Sequence, residues 1–167
     1  MEKVIETERL ILRKPILSDA EELVSLLNDE KVAEFVPTLF IQTYHEAIAY
    51  LSIIDMYDYD NEFSYVIVEK SSNKIVGILD AYWTSDNDVP VSYACKSSQR
   101  GNGFIVEAVK AFIIFISNNF CYDAITFSIR NDNKASKKVM QKLGIHSYYK
   151  TGGFSHYSVS LKEELPF

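Results

Sequence analysis

The sequence predicts a mixed α/β (α+β) domain of about seven strands and about four helices. Three observations carry this. Apolar periodicity runs in the order strand, two helices, three strands, helix, strand, helix, two strands. The tripeptides Ser71-Ser72-Asn73 and Asp86-Asn87-Asp88 punctuate three adjacent strand-like runs, which therefore form an antiparallel meander. No repeat, low-complexity tract or Pro/Gly/Ser-rich linker divides the 167 residues, so residues 1–167 read as a single domain.

Arg9–Lys14 alternates around Leu10 and Leu12 as an opening strand closed by Pro15. Ser18 followed by Glu21 reads as a capping box before a helix over Ala20, Leu23, Val24 and Leu27. Thr43–Tyr57 is a second helix with Ala47, Ile48 and Leu51 on one face. Phe63–Glu69, Ile75–Thr84 and Val89–Cys95 are the meander. Val106, Val109, Phe112, Ile113 and Ile116 recur at helical spacing within 103–119, with apolar residues on nearly every side, which predicts a buried helix. Ala124–Arg130 is a strand, and Ala135–Leu143 is a helix capped by Gly144. Tyr148–Lys150 and Phe154–Leu161 flank Gly152-Gly153 as a closing hairpin.

Composition narrows the function. Hydrophobic residues make up 47% of the chain, too many for a disordered protein. A net charge of -6 opposes the phosphate neutralisation that nucleic acids and anionic membranes require, so neither is expected as a partner. Aromatics at 13% predict a core or cleft built from large rings. Cys95 and Cys121 cannot form a disulfide framework, which points to a reducing, cytoplasmic setting. The first residues carry acidic groups instead of a secretory apolar stretch, and Ala111–Ile116, the longest apolar run, is too short for a bilayer. His45, His146 and His156 lack metal-ligand spacing, so no metal is expected.

Two segments carry the chemistry. Gln99-Arg100-Gly101-Asn102-Gly103-Phe104-Ile105 joins a strand to the buried helix. Its glycines permit a tight turn that aims free N–H groups outward at the positive end of the helix dipole, a cradle for pyrophosphate. A tight turn without a ligand would use the same glycines. It is neither a Walker loop nor a dinucleotide fingerprint, since no Gly-Lys-Ser/Thr follows and the third glycine is absent. Asn131-Asp132-Asn133-Lys134-Ala135-Ser136 ends the next strand and opens the next helix, with Asn133 a good N-cap. Capping leaves Asn133 able to hold a ligand and Ser136 able to donate a proton.

In this order and at this separation the two segments resemble the GCN5-related N-acetyltransferase (GNAT) superfamily, and within it the ribosomal-protein-alanine/serine acetyltransferase-like branch. The resemblance extends from Glu6-Thr7-Glu8-Arg9-Leu10-Ile11-Leu12-Arg13 through Ile75-Val76-Gly77-Ile78 and Val91-Ser92-Tyr93-Ala94 to Asn133-x-x-Ser136 and Lys142-Leu143-Gly144. It implies a GNAT fold, a mixed but mostly antiparallel twisted sheet splayed between its fourth and fifth strands. It also implies direct acetyl transfer from acetyl-CoA to an amine, a protein N-terminus or a small amine, through a tetrahedral intermediate and without an acyl-enzyme. Tyr93, Ala94, Cys95, Arg100, Gly101, Asn102, Gly103, Phe104, Ile105, Asn133 and Ser136 would then contact acetyl-CoA. A backbone N–H near Ala94 or Cys95 would polarise the thioester carbonyl, and Ser136 would protonate the leaving thiolate.

The chain departs from the family at Ile105, where Gly or Ala is usual, and at Ile145, where Phe is common. Ile105 either crowds the cofactor phosphates or turns into the core. No Asp or Glu lies between Gly144 and Leu161, where related enzymes carry a glutamate base. Asp80, Tyr82, Glu107 and His156 are the remaining base candidates, with Glu107 also read as a helix-dipole partner and His156 as a surface residue. Cys95 reads as a packing residue ahead of a nucleophile. The alternative function is a non-catalytic CoA-binding or regulatory module, and the chain is expected to be a monomer or homodimer. Residues 1–95 hold 7 basic and 18 acidic side chains and residues 96–167 hold 10 and 5. The basic half, with Arg100, Lys134, Lys137 and Lys138, is thereby suited to CoA phosphates, and the acidic half to a cationic amine.

Overall fold

A computed structural model describes residues 3–56, 62–84 and 86–167. In chain order these form β1 (Ile5–Glu6), β2 (Leu10–Arg13), α1 (Ala20–Leu27), α2 (Glu30–Phe35), α3 (Tyr44–Met56), β3 (Glu62–Glu69), β4 (Lys74–Tyr82) and β5 (Asp88–Cys95). They continue with α4 (Phe104–Asn119), β6 (Ala124–Arg130), α5 (Lys134–Lys142), β7 (Ser147–Thr151) and β8 (Phe154–Ser160). The strands make one sheet in the order β1-β2-β3-β4-β5-β6-β8-β7. Among the described residues every pairing is antiparallel except β5 with β6, which is parallel. Among the described residues no helix is long and apolar enough to cross a membrane.

The mixed, mostly antiparallel sheet and the meander agree with the sequence. Turns at Asn73 and Asn87 adopt positive φ, 52° and 61°, a conformation that asparagine tolerates. The differences lie in short elements. Two-residue β1 makes an eighth strand, and six-residue α2 makes a fifth helix. Neither is long enough to show a period, and so short a helix persists through its cap and its packing. The Asp29 carboxylate accepts the Lys31 and Val32 N–H groups at 2.9 and 3.2 Å to start α2.

The Ser18–Glu21 capping box is not formed. Ser18 lies in a 3-10 turn over Leu17–Asp19, and Asp19 takes the N-cap position of α1 without a capping hydrogen bond from its side chain. Its carboxylate instead accepts the Ile16 N–H at 2.9 Å and both ends of the Arg13 guanidinium at 2.7 and 2.8 Å. A reciprocal box forms at α3, where Thr43 Oγ1 accepts the Glu46 N–H and Glu46 accepts the Thr43 N–H. That helix is described to Met56, and the expected end at Tyr57 lies outside the described residues.

Helices α4 and α5 cover one sheet face, burying Phe112, Ile113, Ile116 and Met140 with Ile125, Phe127 and Tyr157. Phe63 meets Phe112 and Phe120 edge-on at 5.9 and 5.1 Å, so the aromatic content serves this core. Helices α1–α3 cover the other face against Val66, Val68, Ile75, Ile78 and Ala94 of β3, β4 and β5, with Ile11 of β2 beside them. On that face β6 and β8 present Thr126, Ser128 and His156, because Ile125, Phe127, Tyr157 and Val159 alternate toward α4.

Gly77 leaves no room for a side chain between β4 and its neighbours. A Cβ there would stand 2.8 Å from the Ala94 carbonyl oxygen and 3.1 Å from the Cδ1 atoms of Ile105 and Ile67. Gly77→Ala is expected to destabilise the chain by about 1–3 kcal/mol through overpacking, seen as a lower urea midpoint at an unchanged slope. A midpoint equal to that of the parent would show that this seam relaxes freely.

Candidate active site

Strands β5 and β6 pair only over Asp88–Pro90 with Ala124–Thr126. From Val91 to Cys95, β5 pairs with β4 alone, so the sheet splays beside its second half. The Lys96 N–H donates to the Val76 carbonyl at 2.9 Å. Strand alternation then turns the Ala94 N–H toward β4 and the Cys95 N–H into the gap. Of the two N–H groups expected near the carbonyl, that of Cys95 faces the gap.

A cavity of about 510 Å³ opens at this splay. Its walls are α2, the end of β5, the 99–106 loop with the first turn of α4, and the first turns of α5. Gly103 holds the loop at φ 81°, a left-handed conformation that favours glycine, and serves as the N-cap of α4. The N–H groups of Gly101, Asn102, Gly103, Phe104, Ile105 and Val106 make no hydrogen bond among the described residues. They are oriented donors at the positive end of a 16-residue helix.

Arginine 9 holds this loop from behind. It donates to the Asn102 carbonyl at 3.0 Å and to Glu107 at 2.7 Å, and its guanidinium lies 4.8 Å from the Phe104 ring centre. Burial would raise the Glu107 carboxyl, but hydrogen bonds from Thr7 and Arg9 hold it below the usual carboxylate range. Asn102 thus faces the support side and does not line the cavity. Arg100 does line it, and its guanidinium also bonds Asp29 at 2.6 Å, bolting the loop to α2. Partial burial would raise the Asp29 carboxyl, but Arg100 and the α2 N–H groups hold it low.

Asn133 caps α5 by accepting the Ser136 N–H at 3.1 Å, and Ser136 lines the cavity from the first turn of that helix. Lys134, Lys138 and Lys142 line it too and make no ion pair among the described residues, whereas Lys137 is not on the wall. Lys31, Val32 and Phe35 of α2 complete it. Sequence periodicity missed these three with their helix; Asp29 as a capping residue before the Lys31–Glu34 pair was the available signal.

Residues 9–146 match the Acetyltransferase (GNAT) domain family. The chain belongs to the GNAT family. It is 28% identical over 96 residues to "Uncharacterized N-acetyltransferase YjdG" of Bacillus subtilis (strain 168), an alignment covering 56% of this chain and 57% of the relative's length. Its fold is similar to the ribosomal L7/L12 alpha-N-protein acetyltransferase RimL, with a TM-score of 0.81 at 17% identity, over 96% of this chain and 95% of the other. The microcin C7 self immunity acetyltransferase MccE, solved in complex with acetyl-CoA and AMP, gives 0.77 at 18% identity, over 92% and 93% of the two chains.

The GNAT loop's departure at Ile105 resolves toward the core. Ile105 is 8% exposed and packs with its Cδ1 at the Gly77 seam, so its side chain does not fill the loop's concave side. Ile145 is buried in the same core as α4. Cys95 is half-buried, and burial pushes its thiol above the usual value, with Arg100 pulling the other way, so it stays a protonated packing residue.

The base candidates separate clearly. Glu107 is committed to Thr7 and Arg9, and Tyr82 is 54% exposed at the end of β4. Asp80 and His156 occupy the face opposite α4, on either side of the splay. Asp80 pairs with Ser92 across β4 and β5, and its carboxylate accepts the Tyr50 hydroxyl at 2.8 Å and the Ser64 hydroxyl at 2.7 Å. Burial and the charge of Asp80 push the Tyr50 phenol well above its usual value. His156 pairs with Ser128, whose hydroxyl lies 3.0 Å from Nδ1, and stacks on Tyr149 at 4.3 Å. Its Nε2 is buried without a hydrogen-bond partner among the described residues. The expected surface histidine is therefore a held one, because the β7–β8 hairpin lays Tyr149 over it.

Proposed function

We propose that this GNAT chain transfers an acetyl group directly from acetyl-CoA to a primary amine, a protein N-terminus or a small amine, without an acyl-enzyme. The observation that carries the reading is the splay at Val91–Cys95 opening onto a cavity that combines Ser136 with N–H donors and three lysines that are unpaired among the described residues. When bound, acetyl-CoA supplies an activated acetyl thioester and a good leaving group. The N–H groups of Gly101 and of Gly103 to Val106 hold its pyrophosphate, with Lys134, Lys138 and Lys142 adding charge. The Cys95 N–H donates to the thioester oxygen, where negative charge grows during attack. Ser136 gives its proton to the sulfur. The acceptor approaches from the opposite face, between Asp80 and His156, where the carboxylate attracts a cationic amine and the imidazole takes its proton directly or through water.

A non-catalytic CoA-binding module draws no support from Ile105 once that side chain is placed in the core. Free Cys95 and Cys121 accord with a cytoplasmic setting.

Titration with CoA and acetyl-CoA is expected to raise the melting temperature. A ligand at 100 times its Kd stabilises the native state by about 2.7 kcal/mol. No shift at millimolar ligand overturns both readings. With binding established, thiol release from acetyl-CoA over a panel of amines and peptide N-termini is expected for the enzyme and is absent for a binding module.

A further inference from the structure

Tyr93 lies on β5 with its ring turned toward the α4–α5 side, edge-on to Phe127 at 6.4 Å. It lines the cavity from β5, as Ser136 does from α5. Its hydroxyl is buried and makes no hydrogen bond of acceptable geometry among the described residues, although the Ser136 hydroxyl is beside it. Burial pushes this phenol far above its usual value, Ser136 moderates the effect and Tyr157 adds to it. Tyr93 therefore keeps its proton and is a permanent donor. An unsatisfied buried hydroxyl destabilises a fold, and phenylalanine would fill the same space without that cost. Packing does not account for the oxygen.

We propose that the Tyr93 hydroxyl is a positioning group for acetyl transfer, donating a hydrogen bond to Ser136 Oγ and so aiming the Ser136 proton at the sulfur. The inference rests on the acid role given to Ser136 above. As the carbon–sulfur bond breaks, its electron pair goes to sulfur and Ser136 supplies the proton. Ser136 regains a proton, through solvent, from the acceptor ammonium. Tyr93 neither gains nor loses one; it stabilises the charge that grows on Oγ.

The test compares Tyr93→Phe, Ser136→Ala and the double variant with the parent chain, by thiol-release kinetics, calorimetry with CoA and thermal melting. Tyr93→Phe is expected to lower kcat about tenfold, roughly one hydrogen bond to a developing charge. The KM for acetyl-CoA and the Kd for CoA stay within about twofold, and the melting temperature of the free protein is unchanged or higher. In the Ser136→Ala background the tyrosine substitution adds no further loss, because the two groups act as a unit. Three results would overturn the proposal: a parental kcat, an equal loss in both backgrounds, or a lowered melting temperature, which marks a structural hydroxyl. A parent chain that binds CoA but releases no thiol removes the enzymatic reading and this role together. A fully active Tyr93→Phe removes the role alone.

Discussion

Ser136→Ala is expected to slow acetyl transfer by about 10²- to 10⁴-fold, the contribution of a well-placed proton donor. The loss falls on kcat and not on CoA affinity. Ser136 sits in the first turn of α5, and the contact that orders that turn uses its backbone N–H, which Asn133 accepts at 3.1 Å. Alanine keeps that N–H and the helix start. The donors proposed for the pyrophosphate lie on the other wall, at Gly101 and at Gly103 to Val106, and would lose nothing. Thiol release at saturating amine, beside calorimetry with CoA, separates the two effects. Unchanged turnover removes Ser136 as the acid, and a parallel loss of CoA affinity reassigns it to binding.

Asp19→Ala is expected to cost about 1.5–3 kcal/mol of stability, the loss of charge-assisted hydrogen bonds to a buried carboxylate. Asp19 is 6% exposed and accepts three hydrogen bonds, two from Arg13 and one from the Ile16 N–H. Those bonds tie the end of β2 to the start of α1. Alanine removes the carboxylate held by the partly exposed guanidinium and leaves the Ile16 N–H without its acceptor beside the core. Urea unfolding reads the effect as a large fall in midpoint at a constant slope. Asp19→Asn is expected to fall between parent and alanine, since the amide oxygen can still accept from Ile16. A loss below about 1 kcal/mol for Asp19→Ala would place this pair with exposed ones, which are worth little.

Sequence reading located the cofactor side of the candidate site more fully than the acceptor side. Arg100, Gly103, Asn133 and Ser136 stand at strand–helix junctions, where glycine, capping residues and the helix dipole leave a local signature that six or seven consecutive residues suffice to show. Arg9, Lys31 and Phe35 escaped because they reach the loop or the cavity from elements remote in the chain. Spacing alone holds no trace of the Arg9 bonds to Asn102 and Glu107, across more than ninety residues. Ser18 misled for a related reason. The local capping rule was sound, but the Arg13–Asp19 pair set the start of α1 differently.

His156 shows the same boundary on the acceptor side. As a lone histidine in a polar hairpin it reads as a surface residue, and its neighbours in sequence, Ser155 and Tyr157, face the other way. The hairpin brings Tyr149 and Ser128 to it from two separate strands. Periodicity, turn chemistry and helix starts, which act over a few residues, already specify in the sequence the long strands, α4 and the 99–106 loop. The splay, the Cys95 N–H in the gap, the burial of Ile105 and the meeting of Tyr93 and Ser136 on one cavity wall arise from contacts between distant segments. Their energies depend on distance and burial in three dimensions, and chain order encodes neither.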